Sequence, residues 1–330
     1  MNTEKSFCDL ENKSENMKQS HIAIEKAILT AVYIFVAAIA AWGVSDRGPC
    51  KYHFAYGDTV RTYTMHLPDS LPDEAPLVVF AHGYGSKNRI RPDLNNVADS
   101  NGFAVCYPDG APDSRGKDGW YVGYPPQYNM AKNEEDFFRA LIHEVTARFN
   151  LSRRNVFLVG FSNGGDLCYQ FAYTCPDLFR AYASVAGLLF EWVYLDHKLT
   201  QPVSFLEIHG DADTTSMWQG DHDNIGGWGP YIPVPLAVSS IAVGNRCTTM
   251  VTDTVPTMRD PGRYAIRTVY SGSPSGRGDV IVYRVQGAKH SWHDKDLPTA
   301  RIIWDFFSRS VVPMTPGRLS IPLQQGRVNL

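Results

Sequence analysis

Net charge of either sign is scarce in this chain. Thirty-one Lys and Arg face 34 Asp and Glu, leaving −3 at neutral pH. That balance excludes a surface built to grip nucleic acid or an acidic polymer. Cysteine is also sparse: six in 330 residues, none at a spacing that would gather metal ligands or arm a thiol nucleophile. No internal repeat is visible, which excludes solenoids and propellers. Long apolar runs are limited to one, at 27–44. What remains is a chain 44% hydrophobic and 20% charged, enough to build one large α/β domain around a sizeable core. Aromatic residues are frequent (Tyr 17, Phe 16, Trp 7), which suits a carbohydrate- or aryl-facing cleft, although most are expected in the core.

Four stretches follow along the chain. Residues 1–26 are polar and of mixed charge. Residues 27–44 are apolar apart from Thr30 and Gly43, long enough to span a membrane or to serve as a secretory signal cleaved near Ala38-Ile39-Ala40. Basic residues flank both sides, so charge does not decide orientation. A helix with no polar face buried in a core is the competing interpretation. Residues 50–310 form the expected catalytic domain, and the Pro/Gly/Gln-rich tail 311–330 is expected to be poorly ordered. Either membrane reading exports residues 50–330. Asn150-Leu151-Ser152 is a glycosylation acceptor that suits export. Five cysteines follow the apolar run, so at least one is unpaired. Cys168 and Cys175 lie about 10 Å apart on one expected helix, too far for a bridge. Cys168 reads as a small buried apolar residue, and a Cys175–Cys247 pair stays open without further support.

Within 50–310 the periodicity predicts strands at 59–67, 76–81, 103–107, 155–159, 181–186, 203–209, 263–270 and 279–286. It predicts helices at 93–100, 134–149, 165–173 and 297–309. Residues 108–133 and 213–233 read as long loops, and length alone marks the first as functional. Fully apolar strands alternating with helices imply an α/β fold with a mostly parallel central sheet and helices on both faces.

The chemistry centres on Gly160-Phe161-Ser162-Asn163-Gly164, set between an apolar strand and a helix. A Ser on so sharp a turn is the nucleophile elbow of an α/β-hydrolase; small residues on either side relieve the crowding. Such a Ser needs an acid and then a His later in the chain, each after a strand. After the strand ending at Ile208 comes His209-Gly210-Asp211-Ala212-Asp213, and Asp213 is the preferred acid, with Asp211 the alternative. After the strand ending at Gln286 comes Lys289-His290-Ser291-Trp292-His293; His290 is the preferred base and His293 the fallback. His209 precedes the acid and reads as a strand-end hydrogen-bonding residue. The early loop His82-Gly83-Tyr84-Gly85 supplies a backbone N–H at Tyr84, which with that of Asn163 forms the expected oxyanion hole. Trp120, Trp218 and Trp292 are candidate cleft residues, Trp292 being equally suited to plain packing. No metal or cofactor is expected.

These pieces resemble the esterase family that includes extracellular poly(3-hydroxybutyrate) depolymerases and feruloyl and acetylxylan esterases. The similarity runs from about 58 to 309. It is carried by His82-Gly83-Tyr84-Gly85, Tyr107-Pro108-Asp109-Gly110, Gly119-Trp120, the Ser162-Asn163-Gly164-Gly165 elbow and Pro176-Asp177-Leu178-Phe179. It continues through His209 to Asp213, Gly287 to Trp292, and Trp304-Asp305-Phe306-Phe307. The resemblance implies Ser162 as nucleophile, Asp213 as acid and His290 as base. The chain departs from the family pattern at Lys289, where Gly is usual; at His293-Asp294, where Pro-Gly is usual; at Tyr84, where a small residue or Cys is common; and across 217–235. Those departures put the ester substrate in question and leave the triad intact. The expectation is a secreted or membrane-anchored serine carboxylesterase acting on a small or polymeric ester, with 27–44 as the possible anchor. A non-catalytic hydrolase-like ectodomain and an exopeptidase of the same fold are the alternatives; the second lacks any stretch long enough for a cap domain.

Overall fold

The computed structural model describes residues 49–86, 90–258 and 262–313. The polar segment 1–26, the apolar run 27–44 and the tail beyond 313 lie outside the described residues. Among the described residues no helix is long and apolar enough to cross a membrane.

The strands are β1 (Cys50–Tyr56), β2 (Thr59–His66), β3 (Leu77–Ala81), β4 (Ala104–Pro108), β5 (Ala111–Pro112), β6 (Asp118–Gly119), β7 (Val156–Phe161), β8 (Tyr182–Val185), β9 (Phe205–Gly210), β10 (Thr249–Pro256), β11 (Tyr264–Ser271) and β12 (Val280–Val285). The helices are α1 (Pro92–Asn101), α2 (Glu134–Arg148), α3 (Asn163–Thr174), α4 (Glu191–Asp196), α5 (Val234–Gly244) and α6 (Thr299–Ser308). Among the described residues ten strands form one sheet in the order β1-β2-β4-β3-β7-β8-β9-β12-β11-β10, and β5 and β6 make a separate small hairpin. From β4 to β12 the neighbours run parallel. Antiparallel pairs close both edges.

The reason lies in the strand sequences. In β3 every residue is buried, and alternate side chains enter different cores. Leu77, Val79 and Ala81 join the core covered by α2, α3 and α5, with Phe137, Leu167 and Val238. Val78 and Phe80 join the core covered by α1 and α6, with Leu94, Trp304 and Phe307. A strand buried on both faces must be apolar throughout, and helices must cover it on both sides. The solvent-facing edge strand β10 is exposed along nearly its whole length and reads Thr-Met-Val-Thr-Asp-Thr-Val-Pro, so no apolar alternation announces it.

The open Cys175–Cys247 pairing is not formed: Cys106, Cys168, Cys175 and Cys247 carry no disulfide. Cys168 is fully buried as expected, its Sγ 3.3 Å from the Ala183 carbonyl oxygen. Burial pushes the Cys175 thiol up to about 12, which keeps it protonated and unreactive.

Candidate active site

The parallel strands end together, and three of their carboxyl ends carry the expected residues. β7 runs into α3 through Ser162, whose backbone sits at φ 54°, ψ −120°, a conformation L residues rarely adopt. The Ser162 N–H donates to the Val185 carbonyl at 2.9 Å, tying the turn to the neighbouring strand. The turn is too tight for side chains around it. A Cβ on Gly160 would lie 1.9 Å from the Gly164 carbonyl oxygen, and one on Gly164 would lie 2.0 Å from the Ala81 carbonyl oxygen. Both glycines are therefore obligatory for packing the elbow against β3.

Asp213 follows β9 and His290 follows β12. His290 Nδ1–H donates to Asp213 Oδ2 at 2.7 Å, and its Nε2 accepts from the Ser162 hydroxyl at 3.0 Å. This tautomer is the one the hydrogen-bond pattern requires. Asp213 is buried, and burial alone would raise its pKa. The His290 ring and the Ser216 N–H outweigh that and hold the carboxyl below the usual range. Its other oxygen, Oδ1, accepts from the N–H groups of Thr215 and Ser216, both at 2.8 Å. The remaining candidates lie elsewhere. Asp211 accepts from Arg284 Nε at 2.8 Å and from the Gly287 N–H at 2.6 Å, so it ties the loop after β9 to the loop after β12. His293 is buried beside Ser291 and Asp296, and burial pulls it down to about 4, which leaves it neutral. His209 is wholly buried, with Nε2–H donating to the Ser216 carbonyl at 2.8 Å and Nδ1 2.9 Å from Glu207 Oε1. It braces the Asp213 loop from below.

The Tyr84 and Asn163 backbone N–H groups donate to no other group among the described residues, and the side chains around them are fixed. His82 is buried, with Nδ1–H donating to the Gly83 carbonyl at 2.8 Å and Nε2 accepting from the Gly110 N–H at 3.0 Å. The Asn163 side chain bonds the Trp120 backbone in both directions, Oδ1 accepting at 2.8 Å and Nδ2 donating at 3.1 Å. Tyr84 is pinned by its hydroxyl to Asp113.

A cavity of about 380 Å³ opens onto the Ser162 hydroxyl. Tyr84, Tyr124, Phe161, Leu188 and Trp228 give it apolar walls; Ser86, Thr215 and Ser216 add hydroxyls. Larger cavities, of about 520 and 430 Å³, touch none of the three residues Ser162, Asp213 and His290, so size does not locate the site. None of the three tryptophans expected in the cleft lines the cavity. Trp120 is fully buried, with Nε1–H donating to the His82 carbonyl at 2.9 Å. Trp218 is buried with its ring 5.9 Å from that of His209. Trp292 is buried against Phe80, its Nε1–H donating to Asp93 at 2.7 Å. All three are packing residues that support the loops behind the site. The wall tryptophan is Trp228, in the loop after β9, with its ring 5.0 Å from that of Tyr124. Asn150 is exposed just past α2, and its Nδ2 donates to Asp73 Oδ1 at 3.4 Å.

Asp166 was not singled out by the sequence, since one acid in an apolar helix carries no pattern. It is buried in the first turn of α3, accepts from the Leu188 N–H at 2.7 Å and from the Tyr124 hydroxyl, and so holds two wall residues. Burial raises its carboxyl to about 8. A folded pKa above the unfolded value means that the stability this group contributes is complete below about pH 4 and is lost as pH rises through 8. Urea unfolding at pH 5 and pH 9 is therefore expected to show Asp166→Asn gaining on the wild type as pH rises. A constant difference between the two proteins would contradict this.

Residues 61–197 match the family described as "Esterase PHB depolymerase". The chain is similar to "Putative esterase NocK" of Nocardia uniformis subsp. tsuyamanensis, 29% identical over 186 residues that cover 54% of this chain and 52% of that protein. It is similar to "Bifunctional acetylxylan esterase/xylanase XynS20E" of Neocallimastix patriciarum, 23% identical over 256 residues, covering 76% of this chain and 34% of that one. The chain thus spans from about a third to about half the length of these relatives. Among solved structures, the acetyl xylan esterase from Aspergillus awamori superposes with a TM-score of 0.51 at 16% identity, covering 78% of this chain and 99% of that one. With the sheet order above, the fold is that of the α/β-hydrolases.

Proposed function

We propose that this chain is a serine hydrolase of carboxylic esters, a reading supported by the match of residues 61–197 to the family described as "Esterase PHB depolymerase". The observation that carries the reading is the unbroken chain from Ser162 Oγ to His290 Nε2 at 3.0 Å and from His290 Nδ1 to Asp213 at 2.7 Å, set at a cavity mouth. Ser162 Oγ attacks the ester carbonyl carbon while His290 Nε2 takes its proton. Asp213 fixes the tautomer and stabilises the imidazolium. The Tyr84 and Asn163 N–H groups hold the oxyanion, with α3 aiming its amino end at the same point. Collapse expels the alcohol, protonated by His290. Water, deprotonated by the same ring, then releases the acid and restores Ser162.

The cavity walls favour a compact apolar or aryl acyl group. The reading extends to export of this domain, tethered or released, supported by the apolar run 27–44 and the Asn150-Leu151-Ser152 acceptor. Feruloyl, acetylated-glycan and hydroxyalkanoate esters are the substrate classes that the relatives and the family bring to this chain. A panel of acetyl, cinnamoyl and polymeric hydroxybutyrate esters tests the reading. The expected outcome is turnover of at least one class with kcat/KM of about 10⁴ M⁻¹ s⁻¹ or more, and with Trp228→Ala raising KM on that class. Absence of turnover on all three would overturn it.

A further inference from the structure

Parallel strands have two poles, and the residues discussed so far occupy one. At the other, where β7, β8 and β9 begin, lies a separate cavity of about 350 Å³. The loop entering β7 brings Arg153 and Arg154 to it, the loop entering β8 brings Arg180, and the loop entering β12 brings Arg277. One carboxylate, Asp177, shares the lining, and it is already paired with Arg139 at 3.2 Å. In a chain with 34 acidic residues and a net charge of −3, the guanidinium groups of Arg153, Arg180 and Arg277 around one cavity whose single carboxylate is already committed are a local imbalance. Among the described residues Arg153, Arg180 and Arg277 form no ion pair. Arg180 is half-buried and held by its Nε–H on the Ser310 carbonyl at 2.9 Å. Val312 completes the rim, fixed to the Asn155 side chain by bonds of 3.0 and 2.8 Å. Burial, then the neighbouring positive charges of Arg277 and Arg154, lower the pKa of Arg180, so repulsion is left standing.

We infer that this cavity is a binding site for a polyvalent oxyanion, with phosphate or sulfate groups held by Arg153, Arg154, Arg180 and Arg277. Guanidinium groups match such oxygens in pairs, and a multiply charged ligand relieves the repulsion among the arginines. The cavity has room for roughly a dozen water volumes, which accommodates two tetrahedral groups better than one. The group is either free in solution or the headgroup of an anionic lipid.

The test uses the full chain. Inorganic pyrophosphate is titrated calorimetrically at ionic strength matched with sodium chloride. In parallel, vesicles of phosphatidylcholine with and without phosphatidic acid are compared in a flotation assay. The expected result is saturable binding at one site per chain in the first arm, or retention that requires phosphatidic acid in the second. Which arm responds identifies the source of the group. Arg180→Gln and Arg277→Gln are each expected to weaken the response about tenfold or more. Arg277 is exposed on a loop, so its variant keeps the fold, and ester turnover should be unchanged because the pole is remote from Ser162. Absence of a response in both arms, or a response undiminished in both variants, overturns the inference without touching the esterase reading.

Discussion

Replacing Ser162 with Ala is expected to lower kcat/KM for p-nitrophenyl acetate by about 10⁴-fold or more, with the fold unchanged. The size of the effect follows from the geometry. Among the described residues the only hydroxyl bonded to His290 is that of Ser162, at 3.0 Å, and the strained backbone at φ 54° presents it to the cavity. On the proposed mechanism no acyl-enzyme forms without the oxygen, and what survives is the proposed oxyanion hole acting on water. The substitution removes one small atom from a half-exposed position, so the unfolding midpoint should stay within a degree or two of the wild type. Residual turnover within tenfold of the wild type would remove Ser162 from the mechanism.

The second large effect separates two neighbouring acids. Asp213→Asn is expected to reduce kcat by about 10⁴-fold, because an amide in that place no longer selects the Nδ1–H tautomer or stabilises the imidazolium. Asp211→Asn is expected to leave kcat within a few-fold. Its carboxylate faces Arg284 and the Gly287 N–H instead of His290, so the loss falls on stability, about 1 kcal/mol or less for a partly exposed pair. Measuring kcat and urea midpoints for both variants checks the assignment. If Asp211→Asn is the more damaging to kcat, the acid has been assigned to the wrong residue.

Much of this was legible in the chain because the informative features are local. β3 and β7 read as buried strands since every position is apolar, and the elbow reads from its two glycines, whose Cβ atoms would strike backbone. Chain order then selects Asp213 and His290 as candidates. Features that depend on tertiary placement did not read. α5 begins Val-Pro-Leu-Ala and is apolar on most sides, so neither a polar face nor a clean start marks it. β10 is exposed and polar along one edge. Trp120, Trp218 and Trp292 looked like cleft residues because large aromatics beside motifs invite that reading, yet their indole rings serve packing and hydrogen bonding behind the loops. Trp228 and Asp166 carry no periodic signal; one lies in an irregular loop, and the other is a single buried acid whose partners come from distant segments.

The central claim is that Ser162 is the activated nucleophile. It is tested most directly by incubating the full chain with a fluorophosphonate probe and locating the adduct by peptide mass spectrometry. The account predicts a single stoichiometric adduct on the peptide containing Ser162, lost in His290→Ala and Asp213→Asn under the same exposure. Labelling at another residue, or equal labelling of Ser162 without His290, would contradict it.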